Sequence, residues 1–232
     1  MAGNTPRSLL RPHGGSEARV SYTELFFDLV YVFAVTQLSH HLLGELTLLG
    51  AAQTLLLWFA GWLGWECTCW VTNWFDPDAL PVRTLLFALM LLALPMAAAI
   101  PQAFGERAWV FAGCYAAIQV GRSIVVLWQL GGLHVLKPNF RRILGWNCIA
   151  AAFWLAGAAA QGGMRMALWA GAVACEYISP MFGFRLPGLG RSHTSDWTIH
   201  GGHLTERCQL FMIVALGESI LVAGATIGGA KA

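Results

Sequence analysis

Apolar residues run along this chain in long blocks, separated by short groups of Gly, Pro, Asn and charged residues. A helix that crosses a bilayer needs roughly 20 mostly apolar residues. Seven blocks meet that length: about Leu25 to Leu43, Leu46 to Thr72, Leu85 to Ala103, Trp109 to Leu130, Ile143 to Ala160, Met166 to Phe184 and Leu210 to Ile227. The joins "NWFDPDALP" (Asn73 to Pro81), "IPQAFGE" (Ile100 to Glu106), "QLGGLHVLKPN" (Gln129 to Asn139) and "QGGM" (Gln161 to Met164) carry residues that stop helices. Pro95 lies inside the third block and should kink it. The pattern predicts an all-α, polytopic transmembrane helix bundle of about seven spans. Residues 1–20 form an N-terminal tail and residues 21–232 the transmembrane domain, with no room for a separate soluble domain.

Composition agrees. Apolar residues make up 57% of the chain and charged residues 11%, against about 25% charged in soluble domains. A water-facing surface cannot be built from this. Twenty-six Gly, with runs such as "LAGAAAQGG", allow helix backbones to approach closely. The six Cys fall in or beside the spans and read as small apolar filler, not as a disulfide framework. Trp58, Trp62 and Trp65 form a stripe at helical spacing that suits packing or lipid contact better than a cofactor box. No cofactor is expected.

The net charge of +2 says less than its distribution. With the N-terminus cytoplasmic, that side collects Arg7, Arg11, Arg19, Arg83, Lys137, Arg141, Arg142, Arg185, Arg191 and Arg207, and the other side Arg107, Arg165 and Lys231. This bias predicts a cytoplasmic N-terminus. A basic face of this kind suits anionic lipid headgroups, and no nucleic-acid motif accompanies it. The first 20 residues are polar and basic, so no cleavable signal peptide is read.

Several charges lie inside the apolar blocks. "SYTE" (Ser21 to Glu24) matches a capping box, which gives Glu24 a purely local role to weigh against a functional one. Asp28 lies one turn further on the same face. From the helical rise, Glu66 lies about 10 Å into its span, Arg122 and Glu176 about 12 Å and Glu218 roughly 16 Å. A charge near the bilayer centre costs about 2.5 to 3.5 kcal/mol even on insertion scales, so these groups should turn inward and pair. Arg122 is the deep cation, expected to pair with Glu176 or Asp28. The acids outnumber it unless some are protonated or Arg207 reaches in. The final third adds His200, His203, Glu206 and Arg207, with His203 and Arg207 on one face. Such spacings could hold zinc, but no HExxH is present and Gly201 and Gly202 interrupt the geometry, so no metal is expected. The candidate intramembrane polar cluster is therefore Glu24, Asp28, Glu66, Arg122, Glu176, His203, Glu206, Arg207 and Glu218.

The segments "SYTELFFDLVYVFAVTQLSHHL" (Ser21 to Leu42) and "HLTERCQLFMIVALGESIL" (His203 to Leu221) together resemble the bacterial low temperature requirement A family of polytopic membrane proteins. The resemblance implies a multi-pass protein of the bacterial cytoplasmic membrane, linked to growth in the cold. Its signature positions fall on Glu24, Phe26, Phe27, Asp28, His203, Glu206, Arg207, Gly217, Glu218 and Ser219. Family members usually continue with further spans, so the chain reads as a fragment or a shortened relative.

Three function classes follow. The acid-rich interior could serve conduction or transport, possible partners being a proton, an ion or a small molecule besides the membrane lipids. It could instead be a static lock in a structural or sensory protein supporting growth in the cold. An intramembrane enzyme would need a nucleophile, and Ser219 beside Glu218 is too slender a basis, so the sequence points away from catalysis. The first reading stands slightly ahead of the second.

Overall fold

A computed structural model describes residues 11, 20–130, 135–197 and 199–229, without the side chains of residues 221–223 and 225–229. The remainder of the expected tail, the 131–134 join and the expected positions Arg7, Arg19 and Lys231 lie outside the described residues. Seven α-helices are present among the described residues, and no strand: α1 (Tyr22–Gly44), α2 (Leu48–Trp74), α3 (Leu80–Ala99), α4 (Ala108–Gln129), α5 (Lys137–Ala159), α6 (Gly162–Met181) and α7 (Gly201–Gly229). The first five are long and apolar enough to cross a membrane.

All the helices but α2 begin earlier than their apolar runs, because polar first turns are invisible to a hydrophobicity reading. At α1 the expected capping box forms: Ser21 Oγ accepts from the Glu24 N–H at 3.3 Å, and Glu24 Oε2 accepts from the Ser21 N–H at 2.9 Å. Pro138 in the first turn of α5 fixes a helical φ five residues ahead of the apolar run. α7 starts nine residues early, at Gly201, since His203 and Arg207 are buried against other helices. Pro95 sits within α3, which tightens into a 3₁₀ turn at Ile100–Gln102.

Side-chain contacts show that successive helices run in opposite directions. The starts of α1, α5 and α7 lie with the ends of α2 and α6, since Arg207 reaches Glu24 and Thr72, and Arg142 reaches Leu189 and Ser192. This is the basic end of the bundle, carrying Arg83, Arg141, Arg185 and Arg191 as well. At the opposite end the start of α6 meets the end of α5 and the α3–α4 join. α1 packs on α2, α3 and α7, α4 packs between α3 and α5, and α6 covers α5 and touches α2.

The centre is aromatic. Trp154 and Trp169 lie 5.2 Å apart with Phe111 and Tyr115 against them, all fully buried. α5 and α6 close this tightly only because residue 157 is Gly: a Cβ there would lie 2.3 Å from Trp169 Cδ1. The outside is apolar too, with Leu29, Phe33, Leu55, Phe59, Phe87, Leu91 and Trp109 exposed. An apolar exterior around satisfied helical backbones is what a bilayer requires, and it supports a membrane location.

Arg165, expected at the opposite end, is a staple. It is buried, with Nε donating to the Gly157 and Ala160 carbonyls at 3.2 and 3.1 Å, Nη2 to Ala160 at 2.8 Å, and Nη1 to Phe104 and Gly105 at 2.5 and 3.1 Å. The end of α5 presents unpaired carbonyls and the negative pole of its dipole, so a cation with several donors is stabilised there without an acid. Arg165→Met should lower stability by about 1.5 to 3 kcal/mol, the value of hydrogen bonds to a charged group. Thermal unfolding in detergent checks it, and an unchanged midpoint would refute the staple.

Candidate functional site

Glu24 and Asp28, one turn apart on α1, face His203 and Arg207, one turn apart on α7. Both helices start at the basic end, so the two pairs meet in parallel register. Arg207 sits between the carboxylates. Its Nη1 donates to Glu24 Oε1 at 2.9 Å and its Nη2 to Asp28 Oδ1 at 2.5 Å, with all three side chains fully buried. The forked guanidinium suits this arrangement, since a Lys could not address two carboxylates through separate in-plane donors. The end of α2 completes the shell: Trp65 Nε1 donates to Asp28 Oδ1 at 2.7 Å, and Thr72 Oγ1 accepts from Arg207 Nη1 at 3.3 Å. Glu24 thus caps α1 through Oε2 and accepts from Arg207 through Oε1.

His203 is oriented from α2. Asn73 Oδ1 accepts from the His200 N–H at 3.1 Å and its Nδ2 donates to the His200 carbonyl at 2.9 Å, which fixes the amide orientation. The other Nδ2 hydrogen is then directed at His203 Nδ1, 3.3 Å away, so Nδ1 accepts and Nε2 carries the proton, donating to Glu24 Oε1 at 3.0 Å. The opposite tautomer would bring Nδ1–H against an amide donor and an Nε2 lone pair against the carboxylate. Arg11 Nη2, 3.0 Å from Nε2, is directed at the same carboxylate at 3.3 and 3.4 Å.

Arg11 was placed in the tail by the sequence reading, not in the site. Its N–H donates to the Trp74 carbonyl at 2.9 Å and its Nε to the Thr72 carbonyl at 2.8 Å, covering the end of α2. Two cations, Arg11 and Arg207, therefore meet two acids, Glu24 and Asp28, around His203. The expected surplus of acid is cancelled here because Arg207 does reach in and Arg11 joins it.

Arg122 departs from expectation. Among the described residues it pairs with neither Glu176 nor Asp28. Its Nη1 donates to the Gly64 carbonyl at 3.2 Å and to Thr68 Oγ1 at 3.1 Å, and its Nη2 to Gln119 Oε1. Gln119 Nε2 passes the chain to the Tyr115 hydroxyl at 2.9 Å, and Tyr115 donates to Glu176 Oε2 at 3.0 Å. Neutral Gln119 and Tyr115 occupy the space where the ion pair was expected. Tyr115, Gln119 and Arg122 repeat at spacings of four and three along α4, a one-face stripe that the sequence did contain.

The remaining candidates stay apart. Glu66 is half-buried on α2, 3.5 Å from Trp70 Nε1, one turn along the same helix. Glu206 and Glu218 are half-buried on α7, and no hydrogen bond among the described contacts joins them to either network. In the stripe of Trp58, Trp62 and Trp65 the first pair is stacked with ring centroids 6.0 Å apart and the second tilted at 5.0 Å, and it packs on Phe211, so it serves packing apart from the Trp65 bond to Asp28. Among the described residues no cluster of His, Cys, Asp and Glu could hold a metal ion. At the basic end, outside the helices, the His193 N–H donates to Asp196 at 2.9 Å and holds its carboxyl below the usual carboxylate range.

The model of a family described as "Bacterial low temperature requirement A protein (LtrA)" matches residues 19–232. An uncharacterized protein of Rhizobium meliloti (strain 1021) is 40% identical over 216 residues, which are 93% of this chain and 53% of that protein. The chain thus spans about half the length of that curated relative. No solved structure matches.

Removing Arg207 leaves Arg11 with Glu24 and strands the buried Asp28, and breaking a buried pair from one side costs about 3 to 5 kcal/mol. Arg207→Leu should lower stability by that amount, Arg207→Lys should recover only part, and the double variant Arg207→Leu with Asp28→Asn should recover most. Chemical unfolding in detergent gives the ranking. A double variant no more stable than Arg207→Leu would refute the charge balance.

Proposed function

The chain belongs to the bacterial low temperature requirement A family, and from that premise we propose that its Glu24–Asp28–His203–Arg207 lattice is a lock, giving the protein a structural or sensory role in the membrane. One observation carries this reading: two buried cations meet two buried acids, with Arg207 bonded to both acids across one helical turn. Lipid removes the hydrophobic drive between helices, so polar contacts and close packing decide which helices stay together. The lock would hold α7 on the α1–α2 pair as lipids stiffen in the cold, in keeping with the family's description.

A proton- or ion-linked conduction or transport role is the second reading, and Glu176 favours it. Its carboxyl is buried and bonded to the neutral donors of Tyr115 and Gln119, so it can exchange a proton without breaking an ion pair. In both readings the chain crosses the bacterial cytoplasmic membrane seven times with its N-terminus cytoplasmic, which the collection of Arg and Lys at one end supports.

Two measurements test these proposals. In proteoliposomes carrying a pH gradient, the lock reading expects Glu176→Gln to leave proton and cation flux at the wild-type level. Loss of a wild-type flux in that variant would establish the second reading in its place. Reporter fusions at Lys137 and Arg191 should read cytoplasmic and one at Arg165 external, and the reverse pattern would overturn the orientation.

A further inference from the structure

The join between α6 and α7 is an ordered, strained structure that neither polar network explains. Gly183 takes φ +61, and a Cβ there would lie 2.5 Å from the Ser192 carbonyl oxygen, so the close approach requires glycine. The Ser192 N–H donates to the Gly183 carbonyl at 2.7 Å, and the Phe184 N–H to Ser179 at 2.7 Å. Phe184 itself takes φ +51, the positive-φ residue other than glycine among the described residues. Such a conformation persists only where its surroundings over-determine it. Arg142 supplies part of that constraint from α5, donating to the Leu189 carbonyl at 2.6 Å and to Ser192 Oγ at 3.2 Å.

The fixed backbone frames a cleft of about 540 Å³. Its side chains divide by chemistry. Arg185, Arg191 and His193 give it exposed basic groups, and among the described residues no carboxylate lines it. Asp196, three residues beyond His193, is turned to the His193 N–H and Asn139. On the helix side Met181 and Phe182 line the cleft while 80% and 66% exposed, and Ile178, one turn back on α6, continues this apolar track at 44%. A basic pocket at a helix end, opening onto an exposed apolar strip along that helix, matches a molecule with an anionic head and a hydrocarbon tail.

We propose that this cleft binds the phosphate headgroup of an anionic phospholipid, with Arg185 and Arg191 on the phosphate and the acyl chains along Phe182, Met181 and Ile178. The apolar strip decides for a lipid over a free phosphate, which would make no use of it. Arg142 acts as the positioning residue, being already committed to the loop carbonyl.

The test uses the whole chain in detergent, with bound lipid counted by native mass spectrometry during titration with dioleoyl-phosphatidylglycerol or dioleoyl-phosphatidylcholine. Each basic side chain near an anionic surface contributes about 1 kcal/mol, so Arg185→Gln with Arg191→Gln should weaken phosphatidylglycerol binding by roughly tenfold or more. Phosphatidylcholine binding should stay unchanged. Both side chains are exposed, so thermal unfolding of the double variant should match wild type. Arg83→Gln with Arg141→Gln, at the same end outside the cleft, should have little effect. An equal loss in that control pair would replace the cleft with general surface attraction, and equal retention of the two lipids by wild type would overturn the proposal. Displacement of bound phosphatidylglycerol by inorganic phosphate at equal concentration would overturn the lipid assignment in favour of a soluble anion.

Discussion

The architecture turns on one guanidinium held between two carboxylates a helical turn apart. Within lipid α7 gains nothing from hydrophobic association with α1, since the tails are as apolar as its own side chains. The Arg207 bridge supplies direction instead. It demands acids at positions i and i+4 of one helix and His and Arg at i and i+4 of a parallel one. It also demands that both first turns lie at the same depth. A slip of one residue rotates a helix by about 100° and would turn the whole set away from its partners.

Besides Arg11, three buried arginines solve the problem of a cation in an apolar interior in different ways. Arg207 uses acids, and is matched by them in number once Arg11 is included. Arg165 uses only carbonyls, at a place where helix ends leave them free. Arg122 uses a carbonyl, a hydroxyl and an amide, and so leaves Glu176 to neutral donors. Arg165 sits where helix ends leave carbonyls unpaired, whereas Arg122 lies in mid-helix, where side chains supply two of its three acceptors.

The helices were legible in the sequence because blocks of about 20 apolar residues admit few other structures in lipid. Glu24, Asp28, His203 and Arg207 were legible as candidates because a four-residue spacing puts them on common faces. Their mutual assignment was not, since it depends on which helices lie adjacent. The same gap led to the expected Arg122 ion pair: axial depth brought Arg122 and Glu176 to one level, but Tyr115 and Gln119 fill the space between them. For Glu218, axial depth said nothing of whether a neighbour covers α7 at that level. Arg11 escaped notice because a lone arginine in a polar segment has no periodicity to mark it. Asn73 and Thr72, a polar pair closing an otherwise apolar helix, were a signal that could have been read.

α2 is the element common to both polar centres. Its Trp65, Thr72 and Asn73 serve the lattice around Arg207, while the Gly64 carbonyl and Thr68 receive Arg122. Gly64 and Trp65 are adjacent, so their groups point to different sides of one turn. A translation of α2 along its axis would lengthen the Trp65 bond to Asp28 and the Arg122 bond to Gly64 together. Packed interiors shift between discrete arrangements more readily than they deform continuously. The lattice at the helix ends and the chain leading to Glu176 therefore constrain one another through a single rigid helix. Any movement that releases α7 must reckon with the position of Arg122.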